Sequence, residues 1–263
     1  MATNGSVLDE YQQAIYELSE RIVSAQRPIR ILDSLKWDNS VQTYFFENKC
    51  KKLPVIDQAY YLKQNPLSFD PTKKKEEFYE IDRAIRRKLG QYSGVGSVMQ
   101  RMCHEYIRVV DLLESRGTAR FTEISQELYG SSEDAFHIGA PTLKDLATLT
   151  RTALSKIKDQ LHTHADAAKY TSAEAVKILS ERLGNYFSDH DNIRVELSDG
   201  IIADAAAGAD RIKIHDGLKF SLREIRTFEM HEGWVHLATT LNGLAQPVCT
   251  FLSKGAPSST VTQ

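Results

Sequence analysis

Apolar residues recur every three or four positions through most of the first 190 residues, which is the spacing of amphipathic helices. This periodicity predicts helices over residues 7–22, 39–52, 77–89, 98–115, 121–129, 143–161 and 172–187. Residues that end helices follow several of these segments, namely Pro28, Pro54, Gly117 and Gly130. The segment from Lys63 to Pro71 contains a further proline and is predicted to be a loop.

The pattern changes after residue 190, where apolar and polar residues begin to alternate. Ile193–Leu197 has the alternation of a half-buried strand. Two further short strands are predicted at residues 201–203 and 211–214, and the turn signals lie at Asp199-Gly200 and Asp216-Gly217. This part of the chain therefore predicts a small, mostly antiparallel group of strands.

A last helix follows the strands. Ser221 and Glu224 have the spacing of a capping box, which marks a helix start, and Asn242-Gly243 marks its end. The order of elements predicts an α+β protein that is mainly helical. We divide it into a helical region, residues 1–190, and a region of strands followed by this helix, residues 191–263.

Composition excludes several classes of function. A formal net charge of −2 on 263 residues leaves no basic face that would predict nucleic-acid binding. No apolar run reaches the length of a membrane span, and the N-terminus lacks the apolar segment of a secretory signal, so no membrane partner is predicted. The widely spaced Cys50, Cys103 and Cys249 form no CxxC pair, and reduced thiols fit a cytoplasmic protein.

The sequence His-Glu-Gly-Trp-Val-His at residues 231–236 is the part of the chain that indicates a chemically active site. Two imidazoles that flank a carboxylate are the residue types of a zinc hydrolase site. In that interpretation His231 and His236 bind the metal, and Glu232 is the general base that takes a proton from water. A chance match of a short motif is the alternative, and the position of the match in a capped helix directly after strands favours the metal site.

The spacing of this motif differs by one residue from the commoner H-E-x-x-H. On a regular α-helix, residues four apart differ by about 40° in direction and residues five apart by about 140°. His231 and His236 would then point too far apart to share one ion. A π-bulge, closed by i→i+5 hydrogen bonds, would bring them to one face. The motif therefore predicts a local distortion between Met230 and Leu237.

The motif and its surroundings resemble the zinc metallopeptidases related to the microtubule-associated tyrosine carboxypeptidase, in which H-E-x-x-x-H is a hallmark. Bacterial relatives are often labelled flavohaemoglobin expression-modulating QEGLA-motif proteins. The resemblance covers the whole chain, more weakly in its helical half. Besides residues 231–236 it rests on Ile212-Lys213-Ile214, Phe220-Ser221, Asn242-Gly243 and Thr262-Gln263.

The resemblance implies a zincin-like active-site helix in which His231 and His236 bind Zn²⁺ and Glu232 activates water. The third ligand of the family is a glutamate in a Q-E-G-L-A sequence, and the family pattern would place it directly after Gln263. Between Leu237 and Gln263 the sequence has no Asp, Glu or His. We therefore expect the chain to be the first part of a longer catalytic domain, truncated at its C-terminus and inactive in this form.

Two functions remain open from the sequence. The first is a zinc-dependent peptidase, a carboxypeptidase by resemblance, whose substrate is a peptide or protein C-terminus. The second is a non-catalytic helical binding or regulatory module with vestigial or packed histidines. A carboxypeptidase needs a cation for the substrate's terminal carboxylate, and the sequence does not choose among Arg194, Arg211, Lys213 and Lys219.

Three smaller expectations complete the sequence analysis. Trp234 either lines a pocket or packs in the core. Cys249, between apolar neighbours, is expected to pack in the core. Among the other histidines, His104 and His137 are expected to be structural or exposed, His162 and His164 to lie at the surface, and His215 to be a turn or strand-end residue and not a ligand.

Overall fold

The computed structural model describes residues 8–157, 167–187, 193–201, 203–208 and 210–261. They form a mainly helical α+β protein, as predicted. The helices are α1 (Glu10–Gln26), α2 (Ile31–Leu35), α3 (Asn39–Glu47), α4 (Gln58–Gln64), α5 (Pro71–Leu89), α6 (Gly94–Glu114), α7 (Ala119–Tyr129), α8 (Leu143–Ile157), α9 (Ser172–Phe187), α10 (Leu222–Phe228), a π-helix (Glu229–Leu237) and α11 (Ala238–Leu244). Two short 3-10 helices follow at Thr250–Ser253 and Pro257–Val261. The strands are β1 (Tyr170–Thr171), β2 (Arg194–Ser198), β3 (Ala205–Ala207), β4 (Arg211–His215) and β5 (Lys219–Phe220).

The chain divides into two compact units, which are not the two regions that the sequence suggests. Unit 1 comprises Met1–Asp134 and Pro247–Gln263, and unit 2 comprises Ala135–Gln246. The predicted division at residue 190 concerns segments that fold independently, and it stays a prediction. None of the helices in the described ranges is both long and apolar enough to cross a membrane.

Unit 1 is a helical bundle centred on α5 and α6, with α1 packed against both. Phe78 of α5 stacks on Tyr106 of α6 with ring centroids 5.4 Å apart, and both rings are buried. The C-terminal segment returns to the same core. Phe251 is buried in it, and Ser19 of α1 donates a hydrogen bond to the carbonyl of Val248. Residues distant in sequence therefore complete one apolar core.

Unit 2 holds the sheets and the last helices. β4 is the central strand of a three-stranded sheet, with β2 parallel to it on one side and β3 antiparallel on the other. β1 and β5 form a separate antiparallel pair. α9 packs on β2 and β4. The core of the unit is formed by buried side chains of α9, β4, β5 and the π-helix, among them Leu179, Leu183, Ile212, Ile214, Phe220 and Leu237. Two of the three pairings are antiparallel, as expected.

Most predicted elements are confirmed, with ends that differ by a few residues. α5 begins at Pro71 rather than at residue 77, because Asp70 caps it and the proline occupies the first turn. α3 ends at Glu47 and not at residue 52, because Lys49 and Cys50 both have positive φ. A helix that was not predicted, α4, precedes the loop at residues 65–70.

One predicted strand is misplaced. The apolar residues 201–203 predict a strand, whereas β3 lies at Ala205–Ala207. Alanine has little preference for strands, so the position of β3 depends on its pairing with β4 and not on local propensity. Ile202 and the histidines 162 and 164 lie outside the described residues.

Gly117, just after α6, provides a test of unit 1. Its φ is +76°, and a Cβ there would lie 2.3 Å from the carbonyl carbon of Asp57. Gly90 has a similar φ of +79°, but a Cβ there would meet nothing within 4 Å. Gly90→Ala should lower the free energy of unfolding by about 1–3 kcal/mol through backbone strain alone, because ψ is 163° and this region is essentially restricted to glycine. Gly117→Ala adds overlap with a backbone and should cost about 3 kcal/mol or more.

Urea unfolding followed by circular dichroism measures this difference. An equal loss of unfolding free energy in the two variants would mean that the start of α4 does not lie close to Gly117 in solution.

Candidate active site

The helix that carries residues 231–236 begins with the predicted capping box. The hydroxyl of Ser221 accepts a hydrogen bond from the Glu224 N–H, and the Glu224 carboxylate accepts one from the Ser221 N–H at 2.7 Å. These two bonds satisfy N–H groups that have no partner within the helix. α10, the π-helix and α11 then follow without a break from Leu222 to Leu244.

The predicted distortion between Met230 and Leu237 is confirmed. Residues Glu229–Leu237 form a π-helix, and at its end the Ala238 N–H donates to the carbonyl of Gly233, five residues earlier. This closure brings His231 and His236 to one face, with their rings edge to face and their centroids 4.6 Å apart. Their Nε2 atoms are 3.1 Å apart.

The two imidazoles fit a shared metal ion. Two nitrogens bound tetrahedrally to one zinc at 2.0–2.1 Å are separated by about 3.3 Å, close to the observed 3.1 Å. His231, Glu232 and His236 have ligand atoms that all lie within 4.8 Å of one another. In the part of the chain that the structure describes, this is the one group of three or more His, Cys, Asp or Glu residues arranged in that way.

The carboxylate of Glu232 lies beside the imidazoles, on the buried side of the helix. The residue is 8% exposed, and its Oε1 lies 3.8 Å from Nε2 of His231. Its Oε2 accepts a hydrogen bond of 2.8 Å from the backbone N–H of Ala207 in β3. A buried carboxylate without a donor would be strongly destabilising. The arrangement therefore places a hydrogen-bonded carboxylate next to a pair of metal-ligand nitrogens.

Comparison with protein families identifies the chain at this point. The family model described as microtubule-associated tyrosine carboxypeptidase matches residues 43–263. The chain belongs to this family. Its membership supports a peptidase-like enzyme and confirms the resemblance that the motif suggested. Searches of curated proteins and of solved structures gave no match. The more specific assignment to the QEGLA branch stays a prediction.

In this member of the tyrosine carboxypeptidase family, α9 holds the π-helix in place. A Cβ on Gly233 would lie 2.8 Å from Cδ2 of Leu183, which is fully buried. The ring of Trp234 packs against Tyr186 and Phe187, with centroids 5.0 and 5.3 Å away. Trp234 therefore packs, half-buried, against two rings of α9, and its role as the wall of a pocket stays a prediction.

An ion pair ties the start of the π-helix to the same neighbour. Arg182 of α9 contacts the carboxylate of Glu229 at 2.6 Å. Since α9 also covers the sheet, one helix sets the position of residues 231–236 relative to the strands. Sequence reasoning did not identify this role of α9, because it depends on which elements pack together.

Two of the candidate cations, Arg194 and Arg211, lie close to carboxylates. Arg211 is engaged by two carboxylates, Asp210 at 2.9 Å and Glu196 at 3.3 Å, which raise its pKa. Arg194 also approaches Asp210. Cys249 packs against the core of unit 1, as expected, and burial raises the pKa of its thiol.

The remaining histidines have the structural or exposed roles expected of them where they are described. His104 approaches the buried Asp82, and His137 is exposed. The Nδ1 of His215 lies 2.6 Å from the carbonyl of Asp216, in the turn after β4.

The close packing of Gly233 on Leu183 predicts a large effect of one methyl group. Gly233→Ala should lower the free energy of unfolding by about 1–3 kcal/mol, because the buried side chain of Leu183 has to shift to make room for the methyl group. Gly184→Ala is the matched control in α9, since a Cβ there meets nothing within 4 Å. It should stabilise the protein by up to about 1 kcal/mol through helix propensity.

Thermal unfolding of both variants measures this prediction. If Gly233→Ala leaves the stability unchanged, α9 and the π-helix do not pack as closely as described.

Proposed function

We propose that the chain provides the metal-binding and proton-transfer residues of a zinc-dependent peptidase that acts at a peptide or protein C-terminus. The observation that carries the proposal is the π-helix, which brings two imidazole nitrogens within 3.1 Å and places the Glu232 carboxylate beside them. Family membership supports the carboxypeptidase class. The three widely spaced free cysteines support a cytoplasmic location.

Each residue of the motif has a distinct task in this proposal. His231 and His236 hold the ion through their Nε2 atoms. Zinc supplies Lewis acidity, which polarises the substrate carbonyl and makes water acidic enough to lose a proton near neutral pH. Glu232 accepts that proton and later delivers it to the leaving amine. Its burial keeps competing water away, and its hydrogen bond to β3 fixes the carboxylate in place.

The neighbouring strand offers a place for an extended peptide. β3 is at the edge of the three-stranded sheet formed by the described residues, and it contacts the π-helix. An extended peptide can pair with those outward main-chain groups of an edge strand that have no partner within the protein. Such pairing would hold the substrate's backbone alongside Glu232, where hydrolysis of a peptide bond requires it.

Zinc binding tests the two histidines. His231→Ala should weaken zinc affinity at least about tenfold, because one of the two nitrogens is lost. His215→Ala removes a half-buried imidazole at the end of β4, in the same unit, and should leave the affinity unchanged. Isothermal titration with Zn²⁺ measures both. Equal effects of the two substitutions would contradict the assignment of His231 as a ligand.

The third ligand can be tested in the same way. If a glutamate follows Gln263, as the resemblance implies, a chain extended through that residue should bind zinc more tightly than this one. Equal affinity of the two chains would contradict the prediction.

Peptide cleavage tests the proposed reaction. In the zinc-loaded, extended chain, Glu232→Gln should lower kcat by at least about 100-fold, because the amide cannot take the proton. Peptides with a free C-terminus should lose their last residue, and matched peptides with an amidated C-terminus should not. Mass spectrometry of the products distinguishes the two.

Cleavage of an internal bond in the amidated peptides would indicate an endopeptidase instead. Absence of both zinc binding and cleavage would support the alternative of a non-catalytic binding or regulatory module.

A further inference from the structure

The register between β3 and β4 determines which way each amide of β3 points. Ala205 is opposite Ile214, Ala206 is opposite Lys213 and Ala207 is opposite Ile212. Just outside the strand, the Gly208 N–H donates to the Arg211 carbonyl, and the His215 N–H donates to the Asp204 carbonyl. In antiparallel pairs, bonded and non-bonded positions alternate.

The two flanking bonds show that Asp204 and Gly208 are positions bonded to β4. Ala206, midway between them, is therefore also a bonded position, and Ala207 is a non-bonded one. The N–H of Ala206 therefore faces β4, whereas the N–H of Ala207 faces the outer edge of the sheet. There it donates to Oε2 of Glu232 at 2.8 Å. A main-chain group on a strand edge thus reaches the side chain proposed as the catalytic base.

This bond has two effects on Glu232. The residue is 8% exposed, so a donor to its carboxylate offsets much of the free energy lost when that group leaves water. The bond also limits rotation of the carboxylate, since one oxygen is held by β3 while the other remains 3.8 Å from Nε2 of His231. One oxygen is thereby anchored, and the other faces the imidazoles.

We propose that Ala207 is a positioning residue for Glu232: its backbone N–H fixes the carboxylate and ties the edge strand to the proposed base. The catalytic part of this inference rests on the proposed function, whereas the hydrogen bond itself does not. A second consequence concerns substrate pairing. Because the Ala207 N–H is already engaged, the carbonyl of an extended peptide finds no donor at this point of the edge.

Amide hydrogen exchange tests the bond without any metal or substrate. In protein labelled with ¹⁵N-alanine, Glu232→Leu should speed exchange of the Ala207 amide by at least about tenfold, because the acceptor is gone. Glu232→Gln retains an oxygen acceptor and should keep most of the protection. The Ala206 amide, bonded to β4, is the internal control and should keep its rate in both variants.

Three results would overturn the inference. They are an unchanged Ala207 rate in Glu232→Leu, equal acceleration at Ala206 and Ala207, and loss of protection in Glu232→Gln as large as in Glu232→Leu. Should the leucine variant not fold, the wild-type protein decides. There the Ala207 amide must exchange at least about tenfold more slowly than an amide in an unstructured peptide.

The catalytic consequence is tested by removing the donor. Ala207→Pro eliminates the N–H without breaking a bond to β4, since proline is tolerated at outward-facing positions of edge strands. In the zinc-loaded, extended chain it should lower kcat at least about tenfold with KM within about twofold. Ala207→Gly keeps the N–H and should retain kcat within a few-fold.

Equal kcat values for the proline and glycine variants would overturn the positioning role. A protein without peptidase activity would contradict the proposed function, while the exchange experiment would still decide whether Ala207 holds Glu232.

Discussion

Hydrogen bonding between residues five apart is the constraint on which the candidate site depends. The bond from Ala238 to Gly233 belongs to a π-helix, and only that geometry brings His231 and His236 to one face. On a regular α-helix the two imidazoles would diverge by about 140°. The extra residue in H-E-x-x-x-H and the extra residue in the helical turn are therefore the same feature, seen in sequence and in structure.

A π-helix is rare, so the surrounding structure has to stabilise it. On one side α9 packs closely against Gly233 and surrounds Trp234 with aromatic rings. On another side β3 donates its outward N–H to Glu232. A continuous helix from Leu222 to Leu244 holds the segment at both ends. The candidate site therefore depends on contacts from two elements that carry none of the proposed metal-ligand or base side chains.

The structure confirms those sequence predictions that depend on local chemistry. The capping box at Ser221 and Glu224 predicted where α10 begins, because its two hydrogen bonds are made within one turn. The distortion between Met230 and Leu237 followed from the spacing of the histidines and from helix geometry. β3 was misplaced because Ala205–Ala207 carries no alternation of apolar and polar residues and depends on β4 for its position.

The sequence by itself determined the helical periodicity, the residues that carry the candidate chemistry, the need for a π-turn and the family. Tertiary structure decided which groups meet those residues. No pattern in the sequence marks Ala207, because its contribution is a backbone N–H that every residue except proline possesses. Likewise, the sequence shows Leu183 only as an apolar position of a helix. Its close contact with Gly233 results from the packing of α9 against the π-helix. Contacts between distant segments depend on how whole elements pack against one another. The conformational preferences of single residues do not specify that packing.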